Sequence, residues 1–72
     1  MKLPKWFNGD VYEEGGTATN PFTNKEVMLT NEELSMYDLI KGAEMLRQYE
    51  IMNKALAWFK EANPEAYLIL LD

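Results

Sequence analysis

The sequence predicts an α+β fold: an N-terminal β-hairpin or meander followed by two or three α-helices. Three observations predict it. Composition shifts near Thr30: three of the four glycines and two of the three prolines precede it, and Glu, Leu, Met, Ala and Lys dominate after it. Turn signals flank short β-type runs in the first part. A marked helix start, with apolar residues at helical spacing behind it, opens the second. At 72 residues neither part could hold a core alone, so residues 1–72 form a single domain with a hairpin region (1–29) and a helical region (30–72).

Asn8-Gly9 lies between Lys5-Trp6-Phe7 and Asp10-Val11-Tyr12. Both residues tolerate positive φ, which makes the pair a two-residue hairpin signal. Gly15-Gly16 marks a second reversal. Thr17 to Asn20 and Glu26 to Leu29 then flank Pro21-Phe22-Thr23-Asn24-Lys25, which reads as a five-residue hairpin loop. Proline presets φ at the start of that loop, and Asn24 suits a left-handed exit. In the second arm Val27 and Leu29 share one face, and Glu26 and Met28 the other.

Thr30-Asn31-Glu32-Glu33 matches the capping box: the Thr30 hydroxyl can accept from the Glu33 N–H, and the Glu33 carboxylate from the Thr30 N–H. Glu32 and Glu33 also suit the positive end of the helix dipole. Helix-compatible sequence runs to Ala62, where Asn63-Pro64 ends it. Within this run Met36, Leu39, Ile40, Ala43 and Leu46 form one apolar stripe, and Met45, Tyr49, Met52, Leu56 and Phe59 a second. The two stripes do not share a register. Either one helix of about 48 Å rotates its buried face, or the chain breaks between Leu46 and Ile51. Two helices are favoured, because folding back lets so short a chain form a core. Beyond the stop, Asn63 suits an N-cap, and Pro64 and Glu65 a first turn. A short helix through Ala66 to Leu71 is favoured there, although an all-apolar run of this length also fits a buried strand.

Charge and composition exclude several classes of function. With 12 acidic and 7 basic residues the formal charge is -5, so direct nucleic-acid binding is disfavoured. Lys2, Lys5, Trp6 and Phe7 combine cations with stacking side chains, as single-strand binders do, but anchoring of the arm on the helices is the better reading. No cysteine and no histidine occur, which removes disulfides, thiolate sites and the commonest general base and metal ligand. No apolar run is long enough for a bilayer, no signal peptide is expected, and a cytoplasmic location is the expectation.

No motif carries chemistry. Asp10, Glu13 and Glu14 beside Gly15-Gly16 offer loop carboxylates to a hard cation, yet their spacing fits no calcium loop, and a solvated acidic turn explains them. Gly15-Gly16-Thr17 lacks phosphate-loop spacing and precedes no helix. The helical carboxylates fall near cations (Glu50 with Lys54, Glu44 with Arg47), as surface pairs do. No catalytic residue, cofactor or metal ligand is assigned, and no enzymatic activity is expected.

Trp58 and Phe59 are adjacent, so on a helix they point about 100° apart. Phe59 continues the second stripe and Trp58 is the additional aromatic. Either both line one broad buried face or one serves as an interface anchor. The apolar run after Pro64 extends that candidate surface through Tyr67, Leu68 and Leu71.

Leu3-Pro4-Lys5-Trp6-Phe7-Asn8-Gly9, Thr19-Asn20-Pro21-Phe22-Thr23, Glu33-Leu34-Ser35-Met36-Tyr37-Asp38, and Trp58-Phe59 with Asn63-Pro64-Glu65-Ala66-Tyr67 resemble short proteins encoded by tailed phages of marine cyanobacteria and their relatives. The resemblance spans nearly the full length. It implies a phage origin and a small accessory role in the host cell cytoplasm. No activity is assigned to that group, so no functional residue is carried over.

The expected function is therefore a non-catalytic factor that binds a host or phage protein, with Trp58, Phe59, Tyr67, Leu68 and Leu71 at the interface and a homodimer as the expected state. A second reading is an acidic nucleic-acid mimic, in which Glu32, Glu33, Asp38, Glu44, Glu50, Glu61 and Glu65 imitate phosphates toward a DNA- or RNA-binding protein. A third is a self-assembling structural oligomer.

Overall fold

Between Asn20 and Lys25 the chain reverses on its own side chains. The Asn20 Oδ1 accepts from the backbone N–H of Phe22 (2.8 Å) and Thr23 (3.3 Å), and Asn24 takes φ 61°. This is the left-handed exit expected of that asparagine. The turn joins β1 (Gly16–Thr19) to β2 (Glu26–Leu29), an antiparallel pair in the register Gly16–Leu29, Thr17–Met28, Ala18–Val27 and Thr19–Glu26. Ala18 and Leu29 are buried and Val27 half-buried, while Glu26 and Met28 face outward. The alternation predicted for the second arm therefore holds. The computed structural model describes all of residues 1–72, and its α+β order is β1, β2 and then three helices.

The first helix, α1 (Asn31–Met45), starts on the complete capping box: the Glu33 N–H donates to Thr30 Oγ1 at 3.2 Å and the Thr30 N–H to Glu33 Oε1 at 3.0 Å. Asn63 Nδ2 donates to that same oxygen at 3.1 Å. One buried carboxylate thus ties the start of α1 to the end of the second helix, α2 (Tyr49–Ala62). Asn63 also caps α3 (Pro64–Leu70), its Oδ1 accepting from the Ala66 N–H at 3.1 Å. The C-terminal run is therefore helix, and Ala66 and Leu70 are its buried pair.

The break between the long helices is made by Arg47 at φ 58°. The Gln48 N–H reaches the Ala43 carbonyl (2.8 Å) and the Arg47 N–H the Glu44 carbonyl (3.2 Å). That pair of bonds is the Schellman arrangement, with arginine where glycine is usual. A left-handed L-residue costs about 1–2 kcal/mol, and glycine loses back about 0.5–1 kcal/mol of that as unfolded-state entropy. Arg47→Gly is accordingly expected to stabilise the fold by about 0.5–1 kcal/mol, read as a raised urea midpoint at unchanged slope. A lowered midpoint would mean that the Arg47 side chain contributes more than its backbone costs.

The predicted stripes survive only in their inner parts. Met36, Ile40 and Ala43 are buried on α1 with Leu39 half-buried, and Phe59 is buried on α2 with Met52 and Leu56 half-buried. Met45, Leu46 and Tyr49 are exposed, because the chain reverses there and carries these three past the end of the core. The expected Glu44–Arg47 pair is absent, since Arg47 has left the helix, and Glu50 does not reach Lys54. The one ion pair joins the Met1 α-amino group to Glu32 at 4.0 Å.

No hairpin forms at Asn8-Gly9. Neither residue has the positive φ that such a turn requires, and residues 1–15 contain no strand. Leu3, Trp6 and Phe7 instead pack against the core, and Trp58 Nε1 donates to the Lys2 carbonyl at 3.0 Å. Burying two aromatic rings outweighs what a three-residue strand pair could offer. The chain then runs along α1, where the Tyr12 N–H donates to Ser35 Oγ (2.9 Å) and Asn31 Nδ2 to the Tyr12 carbonyl (3.3 Å). Nor is Gly15-Gly16 a reversal. The bend lies at Glu13-Glu14, and Gly16 already belongs to β1.

Candidate protein-docking surface

The two aromatic residues expected at an interface lie inside the molecule. Phe59 is 0% exposed, with its ring 6.3 Å from that of Tyr37, and Trp58 is 7% exposed beneath the N-terminal arm. A broad buried face on α2 accounts for both, because α1 covers one flank and residues 1–7 the other. Trp58 and Phe59 are therefore core residues and are withdrawn from the surface.

The remaining three interface candidates lie on or just after α3. Leu68 is 63% exposed, opposite the buried pair Ala66 and Leu70, while Tyr67 and Leu71 are half-buried at its sides. Lys60 Nζ stands 5.6 Å from the centre of the Tyr67 ring, so a cation borders this surface.

Phe22, which sequence reasoning placed only in a turn, is the most exposed large apolar side chain at 93%. Its loop is not free: Asn20 Nδ2 donates to the Ile69 carbonyl at 2.9 Å. Because Asn20 Oδ1 also holds the Phe22 and Thr23 N–H groups, one side chain fixes the loop to the last turn of α3. Phe22 and Leu68 therefore lie at the same end of the molecule. The available signal was an aromatic residue inside an otherwise polar turn, where no periodicity requires one.

Of the carboxylates expected on an acidic face, Glu33 is not on the surface. Its Oε1 accepts from both the Thr30 N–H and Asn63 Nδ2 in the capping network. Asp38, Glu44, Glu50 and Glu61 are exposed, but they are divided between two helices. On α2, Glu50, Lys54 and Glu61 lie within about 40° of one another around the axis, so the stripe carries a cation between its two acids. Asp10, Glu13 and Glu14 are exposed as well. Nowhere do three carboxylates converge in a way that could hold a metal ion.

Compared with protein-family models, with curated proteins and with solved structures, the chain matches none.

One surface depression remains, an open hollow of about 400 Å³ at the first turn of α2. It is lined by Asn8, Gln48, Tyr49, Glu50, Ile51 and Lys54. Glu50 and Lys54 are its only charged groups. No helix is long and apolar enough to cross a membrane.

Proposed function

We propose that this protein is a small non-catalytic accessory factor that binds another protein, host or phage, through the end formed by Phe22 and Leu68, with Tyr67 and Leu71 at its border. One observation carries the reading: two large apolar side chains from different elements are exposed at the same end, and the Asn20–Ile69 hydrogen bond holds the loop of one to the helix of the other. An exposed aromatic residue on a fixed loop loses little side-chain freedom on docking, which favours it as an anchor.

The test compares tagged wild type with the Phe22→Ala, Leu68→Ser double variant as bait in lysate of the natural cell, washed at low and high salt. A specific protein retained by wild type at high salt and lost from the double variant is the expected result, because an apolar contact is insensitive to screening. A protein released from both baits by salt alone would transfer the assignment to the acidic-mimic reading, whose attraction is screened within about 8 Å at physiological ionic strength.

A further inference from the structure

We infer that two copies of this chain associate through the free edge of β1, joining their hairpins into one four-stranded antiparallel sheet. The phase of the ladder identifies the edge. The Asn20 N–H donates to the Lys25 carbonyl at 2.9 Å, and the register pairs Ala18 with Val27 and Gly16 with Leu29. In an antiparallel pair hydrogen-bonding positions alternate, so the N–H and C=O groups of Thr17 and Thr19 point away from β2. Both residues are exposed, and none of these four backbone groups has a partner within the chain.

The two edges of the hairpin are not equivalent. α1 contacts both strands, but β2 also has α3 against it, and Glu26 at its start follows Lys25, charges of the kind that block strand addition. β1 reads Gly-Thr-Ala-Thr: it has no charge, proline or bulge, and its two outward-facing residues are β-branched. These residues are symmetric about Ala18. A two-fold axis there places Thr17 opposite the partner's Thr19, and Thr19 opposite the partner's Thr17. All four free groups on each copy are then paired by the same four on the other, the self-complementarity a two-fold interface needs. Threonine pairs across strands are favourable in themselves.

The symmetry of this edge about Ala18 points to a second copy rather than an unrelated strand, and the exposed area leaves room for such a contact. The chain exposes 5050 Å², whereas a monomer of its mass, 8.4 kDa, is expected to expose about 4600 Å². The excess of about 450 Å² is roughly half of what one partner buries in a standard interface, about 800 Å². A small, concentration-dependent dimer fits that figure, and self-association is a recognised staple for a chain this short.

The test is sedimentation equilibrium of the full chain, with two edge variants and a cross-linking pair. Wild type is expected to shift with concentration toward twice the chain mass. Thr17→Pro removes an outward N–H without touching the internal ladder, and Thr19→Lys adds an edge charge. Each is expected to weaken the dimer at least ten-fold while far-ultraviolet circular dichroism stays unchanged, and either variant suffices if the other fails to fold. Since the natural chain has no cysteine, Thr17→Cys and Thr19→Cys copies mixed under oxidation should cross-link to each other. Each alone should not, because like positions lie two residues out of register. A wild type that stays monomeric to its solubility limit overturns the inference. So does a dimer indifferent to both edge variants, or one whose mixed cysteine copies cross-link no better than either copy alone.

Discussion

Phe59→Ala is expected to lower the melting temperature by at least about 12 °C, and in the least stable case to leave the chain unfolded at ambient temperature. Phe59 is the largest of the fully buried side chains. Truncating such a residue typically costs about 3–5 kcal/mol, since the lost transfer energy is joined by the cavity left behind. A domain of this length has about 4–11 kcal/mol of stability in total, and in small domains each kcal/mol moves the transition by about 4–8 °C. Phe22→Ala provides the internal comparison: the same chemical change at a side chain 93% exposed should leave the melting curve within error of wild type. Thermal circular dichroism on both variants decides the matter. Equal losses would contradict the assignment of Phe59 to the core and of Phe22 to the surface.

Gly15→Ala should destabilise by about 1–3 kcal/mol, the usual range for forcing extra volume into a packed site. Its φ is not positive, so the requirement is space rather than conformational freedom. A Cβ at residue 15 would lie 2.2 Å from the Leu29 carbonyl oxygen and 3.2 Å from the Thr30 carbonyl carbon. Those atoms are backbone, at the junction of β2 with the capping box, so relief must displace either the strand end or the first turn of α1. Gly16→Ala is the matched control. Its nearest neighbour would be Leu34 Cδ2 at 3.6 Å, an ordinary contact, so alanine there should be neutral or stabilising by up to about 1 kcal/mol through the unfolded chain. A chemical denaturation series in which the two alanine variants behave alike would rule out steric exclusion at Gly15.

Much of the fold was legible because its signals are local. Thr30 to Glu33, Asn24 and Asn63-Pro64 each specify their geometry within four residues, and each adopts it. What could not be read depends on atoms far along the chain. Asn8-Gly9 carries a hairpin signal, but Trp6 and Phe7 pack against the core instead of forming a strand. Trp58 looked like a surface aromatic because its cover, Lys2 and its neighbours, lies 56 residues away in sequence. The break at Arg47 has no sequence mark at all: the residue that takes the left-handed position is neither glycine nor asparagine. Met45 and Tyr49 fit a helical stripe but lie on either side of that break, and periodicity cannot report that the core has ended. Of the candidate surface, Leu68 followed from an apolar run too short to bury every side. Phe22 did not, because nothing in a five-residue turn says which side chains will find cover.

The N-terminal arm also gives the molecule an optical gauge of its own attachment. Its two tryptophans sit on either side of one contact: Trp6 travels with the arm, and Trp58 lies beneath it with its indole N–H bonded to the Lys2 carbonyl. Peeling the arm away would wet both indoles at once and free the Trp58 donor, while the helices could stay folded. Intrinsic emission and helical ellipticity are thus separate instruments on this chain, the first tracking the seat of residues 1–7 and the second the body on which they rest.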